Sequence, residues 1–239
     1  LAGQTYGVMT DNGTARVVNS GSISATNGTQ VYGVAALAGT VDVTNSGLIS
    51  ASQGDFAFGI LAGQDARVVN SGTIRVQSDQ QTIGINAGRN ANVVNSGNIT
   101  ASVSGTGFSY GVAAVQDAAV TNAGTIISAV SGAGRGVGIF ANSNAAIVNS
   151  GTIIGSAGAG GQGIGIQVFG PANVTNSGII SGSTAALDLS GSADTLTVLP
   201  GSRIIGAINL GGGGDSVNFR GGNHNLTFDT LAGATVTGT

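Results

Sequence analysis

Seven times the chain returns to Asn-Ser-Gly, once as Asn-Ala-Gly, with an isoleucine two residues after the glycine. The marker asparagines are Asn19, Asn45, Asn70, Asn95, Asn122, Asn149 and Asn176. A near-constant period in the twenties marks a solenoid, because one such unit buries its apolar side only by stacking on the next. That removes most folds open to a 239-residue chain.

Composition narrows the choice further. There is no Lys, Glu, Cys or Trp; all seven basic residues are Arg and all ten acidic ones are Asp. The strong helix formers Lys and Glu are missing, while Val, Ile and Thr favour pleated surfaces. Charged residues are 7% of the chain and the net charge is −3. With no basic patch, nucleic acid is not an expected partner. No apolar run reaches the ~18 residues that a spanning helix needs. Leu1 falls inside a repeat, so an excised piece of a longer protein is expected. The lack of Cys suits passage through an oxidising compartment.

Within each unit, alternation marks three short strands. A second marker, Gly7, Gly33, Gly59, Gly84, Gly111, Gly138 and Gly165, has large apolar neighbours on both sides. Strand alternation then predicts that these glycines face out. Their flanking pairs, from Tyr6 and Val8 to Ile164 and Ile166, are predicted to face in. The next segment places Ala66, Val68 and Asn70, and their counterparts, on the inner side. The third places Ile23, Ile49, Ile74, Ile99, Ile126, Ile153 and Ile180 there. Three strands of about 4–5 residues per turn describe a parallel β-helix.

The stretch from the glycine of Asn-Ser-Gly to the next marker glycine is longer in the later repeats, as in Gly97 to Gly111 against Gly72 to Gly84. The difference is even, and an even insertion keeps the alternation intact. These polar, glycine-rich stretches are predicted to be loops on one edge. Residues 1–183 form the seven-repeat solenoid, and residues 184–239 are expected to add shorter terminal turns, nine in all.

A buried asparagine column is costly unless paired. Stacked one strand spacing apart, the seven marker amides can bond each other as a structural ladder. Gly211-Gly212-Gly213-Gly214-Asp215 approaches a calcium-binding nonapeptide but lacks one residue and a tandem copy, so it reads as a glycine corner. Asp215, Ser216 and the single histidine, His224, invite a triad, but Ser216 has no nucleophile elbow. The ten Asp do not cluster as the carboxylates of glycan-cleaving enzymes must. Neither a cofactor nor a metal is expected. Asn-x-Ser/Thr triplets at Asn12, Asn27, Asn98, Asn173 and Asn225 arise by chance in so Asn-, Ser- and Thr-rich a chain.

The outward columns remain for function. Val18, Thr44, Val69, Val94, Thr121, Val148 and Thr175 form an uncharged, largely β-branched stripe. A second column runs Ser22, Leu48, Thr73, Asn98, Thr125, Thr152 and Ile179. Either could be ordinary sheet surface, or a face that docks a partner or another copy.

At these residues the chain resembles the passenger region of bacterial autotransporters, whose repeats are similar to Val-Thr-Asn-Ser-Gly-Thr-Ile. The resemblance covers Tyr6 to Ser183. It extends through Ala193 to Phe219, where Ala-Asp-Thr-Leu-Thr-Val and Gly-Gly-Gly-Gly-Asp resemble the passenger end. It implies a right-handed β-helix and a cell-surface or released location after periplasmic transit. Membrane attachment would come only through a C-terminal barrel that lies outside this sequence. No protease-type passenger motif is present, which points to the adhesin branch. Expected partners are another copy in trans, or a host or matrix protein or glycan. The alternative is a polysaccharide-processing β-helix enzyme.

Overall fold

A computed structural model describes residues 3–222, 224, 226 and 235–238. All of its regular structure is strand, and every pairing is parallel. Each turn of the solenoid carries three strands. In the first turn they are Gln4–Thr10, Thr14–Asn19 and Ser22–Thr26; in the fourth, Gln81–Ala87, Ala91–Asn95 and Asn98–Val103; in the seventh, Gln162–Val168, Ala172–Asn176 and the start of Ile179–Leu189. The eighth comprises the rest of Ile179–Leu189, then Thr195–Val198 and Arg203–Asn209. Ser216–Phe219 and Thr235–Gly238 extend only the second sheet. Among the described residues eight turns are three-stranded, against the nine expected, and they make a rod of roughly 38 Å at ~4.8 Å per turn.

Second strands stack as a ten-stranded sheet, while first and third strands form one fifteen-stranded sheet. The two stacks join through Ile179–Leu189, which pairs with a third strand at one end and a first strand at the other. Elsewhere a loop separates the two, and these loops hold the polar stretches of variable length. In the first two, Asn27 and Gln53 both take left-handed backbone at φ 63°.

The core is a continuous column of Ile, Val and Ala. Ile49, Ile74, Ile99, Ile126, Ile153 and Ile180 are fully buried within it, facing Ala and Val of the second strands.

The marker glycines do not face out, which corrects the alternation reading. A Cβ built on Gly84 would lie 2.6 Å from Cγ2 of Ile99 in the core and 2.4 Å from the carbonyl oxygen of Gly111. The glycine thus faces inward, and the third-strand isoleucine fills the place of its missing side chain. Strand pairing skips this residue: Ile83 pairs with Tyr110 and Ile85 with Val112. The chain bends there, so Gly84 and Ile85 both point in and alternation restarts. Tyr32, Ile83, Val137 and Ile164, at 0–5% exposed, and the partly exposed Phe58 and Tyr110 thereby form a separate strip outside the core column. The glycine of Asn-Ser-Gly is fixed by the same crowding, since a Cβ on Gly97 would sit 2.1 Å from the oxygen of Gly72 on the turn before.

Candidate functional site

The seven marker asparagines close an inner ladder. Nδ2 of Asn19, Asn45, Asn70, Asn95, Asn122 and Asn149 donates to Oδ1 of the next asparagine at 2.7–2.8 Å. Nδ2 of Asn95 also reaches the carbonyls of Gly97 and Thr125 at 3.1 and 3.2 Å. All seven side chains are buried. The column ends on Ser202, whose hydroxyl accepts from Asn176. No marker asparagine takes left-handed backbone, so the corner depends on the amide bonds and not on that conformation. Amides this committed to one another are structural groups without a free donor for a ligand.

The predicted outer stripe lies on the second sheet in unbroken register, Val18 beside Thr44, Val69, Val94, Thr121, Val148 and Thr175 in turn. It continues through Thr197, Asn218 and Thr237. Its four valines are 45–81% exposed. The column is uncharged along its whole length. The nearest ion pair, Arg16 with Asp42 at 3.4 Å, lies two residues away on the same strands. The second column, Ser22 to Ile179, is only partly exposed at most positions.

Two features escaped the sequence reading. The first is a polar ladder where the chain enters the second sheet. Asp65 accepts from the backbone N–H and Nδ2 of Asn90 at 3.2 and 3.0 Å. Asn90 Oδ1 accepts from the N–H of Asp117, and Asp117 repeats the Asp65 pattern with Asn144. Asp and Asn alternate, so no two carboxylates stack directly. These four residues recur with the period of the marker asparagines, which was a detectable signal.

The second is an outer groove. Eight of the chain's ten aromatic residues lie on the outer side of the first strands or directly after them: Tyr6, Tyr32, Phe56, Phe58, Phe108, Tyr110, Phe140 and Phe169. Tyr6, Tyr32 and Phe58 stack at 4.9 and 5.2 Å between centroids. Tyr110 and Phe140 meet edge-on at 5.6 Å although they come from opposite sides of the glycine bend on adjacent turns. Arg135 likewise donates to Gln167 across the bend. Contacts from both arms show that the outer surface is concave there. The bend puts the residue before each marker glycine on this concave side, where Phe58 and Tyr110 stay partly exposed and Tyr32, Ile83, Val137 and Ile164 are covered.

The sequence-level catalytic candidates do not meet. Asp215 Oδ1 accepts from the backbone of Asp194 at 3.0 Å, Ser216 lies 3.5 Å from Asn218 Oδ1, and the His224 ring sits against Phe219 and the Gly221 carbonyl. Gly211–Gly214 turn with positive φ at every residue. Among the described residues no three His, Cys, Asp or Glu side chains gather as a metal site would need. Of the chance glycosylation triplets, Asn225 lies outside the described residues.

No curated protein and no solved structure matches the chain. A family model does, over residues 2–199, and it describes the third pectate lyase-like domain of BigA. The stretch contains all seven asparagine repeats and most of the eighth turn. The chain belongs to the BigA third pectate lyase-like domain family.

Proposed function

We propose that this chain is part of a bacterial surface protein and acts as a non-enzymatic adhesin, making contacts through its long faces with another copy or with a host or matrix partner. BigA-like domains occur in bacterial surface proteins, which supports a location outside the cell. One observation carries the contact reading: large apolar side chains that a globular domain would bury stand in lines on the outside of the rod. Val18, Val69, Val94 and Val148 share one outer column with Thr44, Thr121 and Thr175, while Phe108, Val115 and Phe169 are exposed on the first-strand side. An uncharged, β-branched column with exposed valines along a rigid sheet is a surface on which an extended contact can form. Each contact would be weak, and display of many copies would supply avidity.

The triple substitution Val69→Asp, Thr121→Asp and Val148→Asp tests this. All three side chains point to solvent, so folding is expected to persist, with circular dichroism unchanged. Aggregation of cells displaying the variant, or its capture on matrix-coated plates, is expected to fall at least tenfold. Undiminished binding by the folded variant removes the stripe as the functional face. The second reading, a polysaccharide-processing enzyme, is favoured by the concave groove and by the pectate lyase-like family description. Release of reducing ends from a polysaccharide by the parent would put it first.

A further inference from the structure

Asp194 and Asp215 occupy equivalent places on successive turns, each directly before its strand of the second sheet. Each caps a backbone N–H of the preceding turn. Asp194 Oδ1 accepts from Ala172 at 2.7 Å, and Asp215 Oδ1 accepts from Asp194 at 3.0 Å. Both residues are buried, with 2% and 1% of their surface exposed. In each, Oδ2 is buried without a hydrogen-bond partner. Two ionised carboxylates so placed would repel one another and lack solvent.

No cation offsets them. The ion pairs among the described residues are Arg16 with Asp42 and Arg89 with Asp65. The strands packed around the pair, Ala172–Asn176, Thr195–Val198 and Ser216–Phe219, carry no titratable side chain. Asp188 on the adjoining strand is held by Gln167 and Asn209. Arg203 and Arg220 are exposed. Elsewhere the same corner avoids stacked like charges by alternating Asp65, Asn90, Asp117 and Asn144. At this end that alternation stops.

We propose that Asp194, buried against the Asp215 carboxylate, holds a proton, and that this proton fastens the last turns of the solenoid in acidic surroundings and is lost in neutral to alkaline ones. Burial pushes the Asp194 carboxyl up to about 6; the Ala172 N–H bond acts downward, and the charge of Asp215 adds to the rise. An unfolded aspartate titrates near ~3.9. Between those values the folded state binds more protons than the unfolded one, so stability falls as pH rises through the window. The stabilisation is complete below about pH 4 and gone above about pH 6.

Amide hydrogen exchange on the whole chain at about pH 4.5 and 7.5, corrected for intrinsic rates, reads this directly. Protection in Thr195–Val198 and Ser216–Phe219 is expected to fall on the order of 25-fold at the higher pH. Protection in Ala91–Asn95, in the middle of the rod, stays constant. Asp194→Asn keeps an acceptor for Ala172 and cannot ionise, so its end turns are expected to lose the pH dependence. A flat profile in the parent, or an unchanged dependence in Asp194→Asn, overturns the proposal. Infrared spectroscopy of the parent gives a check that needs no variant: a protonated-carboxyl band is expected at mildly acid pH and should vanish at alkaline pH. Its absence at both would contradict a proton on Asp194. Excess calcium chloride that restores full protection at the higher pH would also overturn it, since the pair would then be a cation site.

Discussion

Gly84→Ala is expected to destabilise the solenoid by about 1–3 kcal/mol, as overpacking a tight interior does. The new methyl would meet Ile99 Cγ2 at 2.6 Å and the Gly111 carbonyl at 2.4 Å. The isoleucine could give by changing rotamer, but the carbonyl belongs to the neighbouring turn and is fixed by strand pairing on both sides. Relief would require the turns to separate, which strains the hydrogen bonds between them. Gly21→Ala is the matched control. It lies in the repeat motif, has negative φ, and a methyl there meets nothing within 4 Å. Its effect is expected to stay within about 0.5 kcal/mol. Denaturant melts of the two variants make the comparison, and equal midpoints would show that the marker glycines do not face the core.

Asn95→Val is the second large effect. The substitution removes the bond donated to Asn122 and the one accepted from Asn70, both 2.8 Å long. It leaves Asn122 Oδ1 without its donor and Asn70 Nδ2 without its shortest acceptor inside a dry corner. Each stranded polar group costs about 1–3 kcal/mol. Asn92→Val, earlier on the same strand and exposed, is expected to change stability by no more than about 0.5 kcal/mol. Thermal melting should therefore separate the two by several degrees. A shift for Asn92→Val as large as for Asn95→Val would place the amide column on the wrong side of the strand.

How far the sequence could be read depended on whether a strand was straight. The second strands are. Ala91, Val93 and Asn95 alternate with Asn92 and Val94 as two-residue periodicity requires, so the inner amides and the outer Val and Thr column follow from spacing alone. First strands bend. At Gly84 two successive residues face inward, so strict alternation, which predicts Ile83 and most of its counterparts as buried, places them in the core column and not in the separate strip outside it. The aromatic rings were misplaced with them, because a tyrosine or phenylalanine beside a glycine looks like core until the bend is known. The corner ladder was missed for a different reason. Asp65, Asn90, Asp117 and Asn144 are residue types common in any turn, and only their period distinguishes them. Asp215 resembles part of a glycine-rich motif and Asp194 part of a passenger-end stretch, whereas their burial follows from stacking at the end of the second sheet. Sequence spacing set them one short turn apart without showing that both point inward.

The most direct test of contact by the long faces uses the chain displayed on otherwise non-adherent bacteria. Cell settling, capture on matrix-coated surfaces and release of reducing ends from polysaccharides are measured together. The expected result is faster settling or greater capture than with bare cells, and no release of reducing ends. Cells that settle and bind like the bare control while cleaving a polysaccharide would contradict the contact reading and establish catalysis in its place.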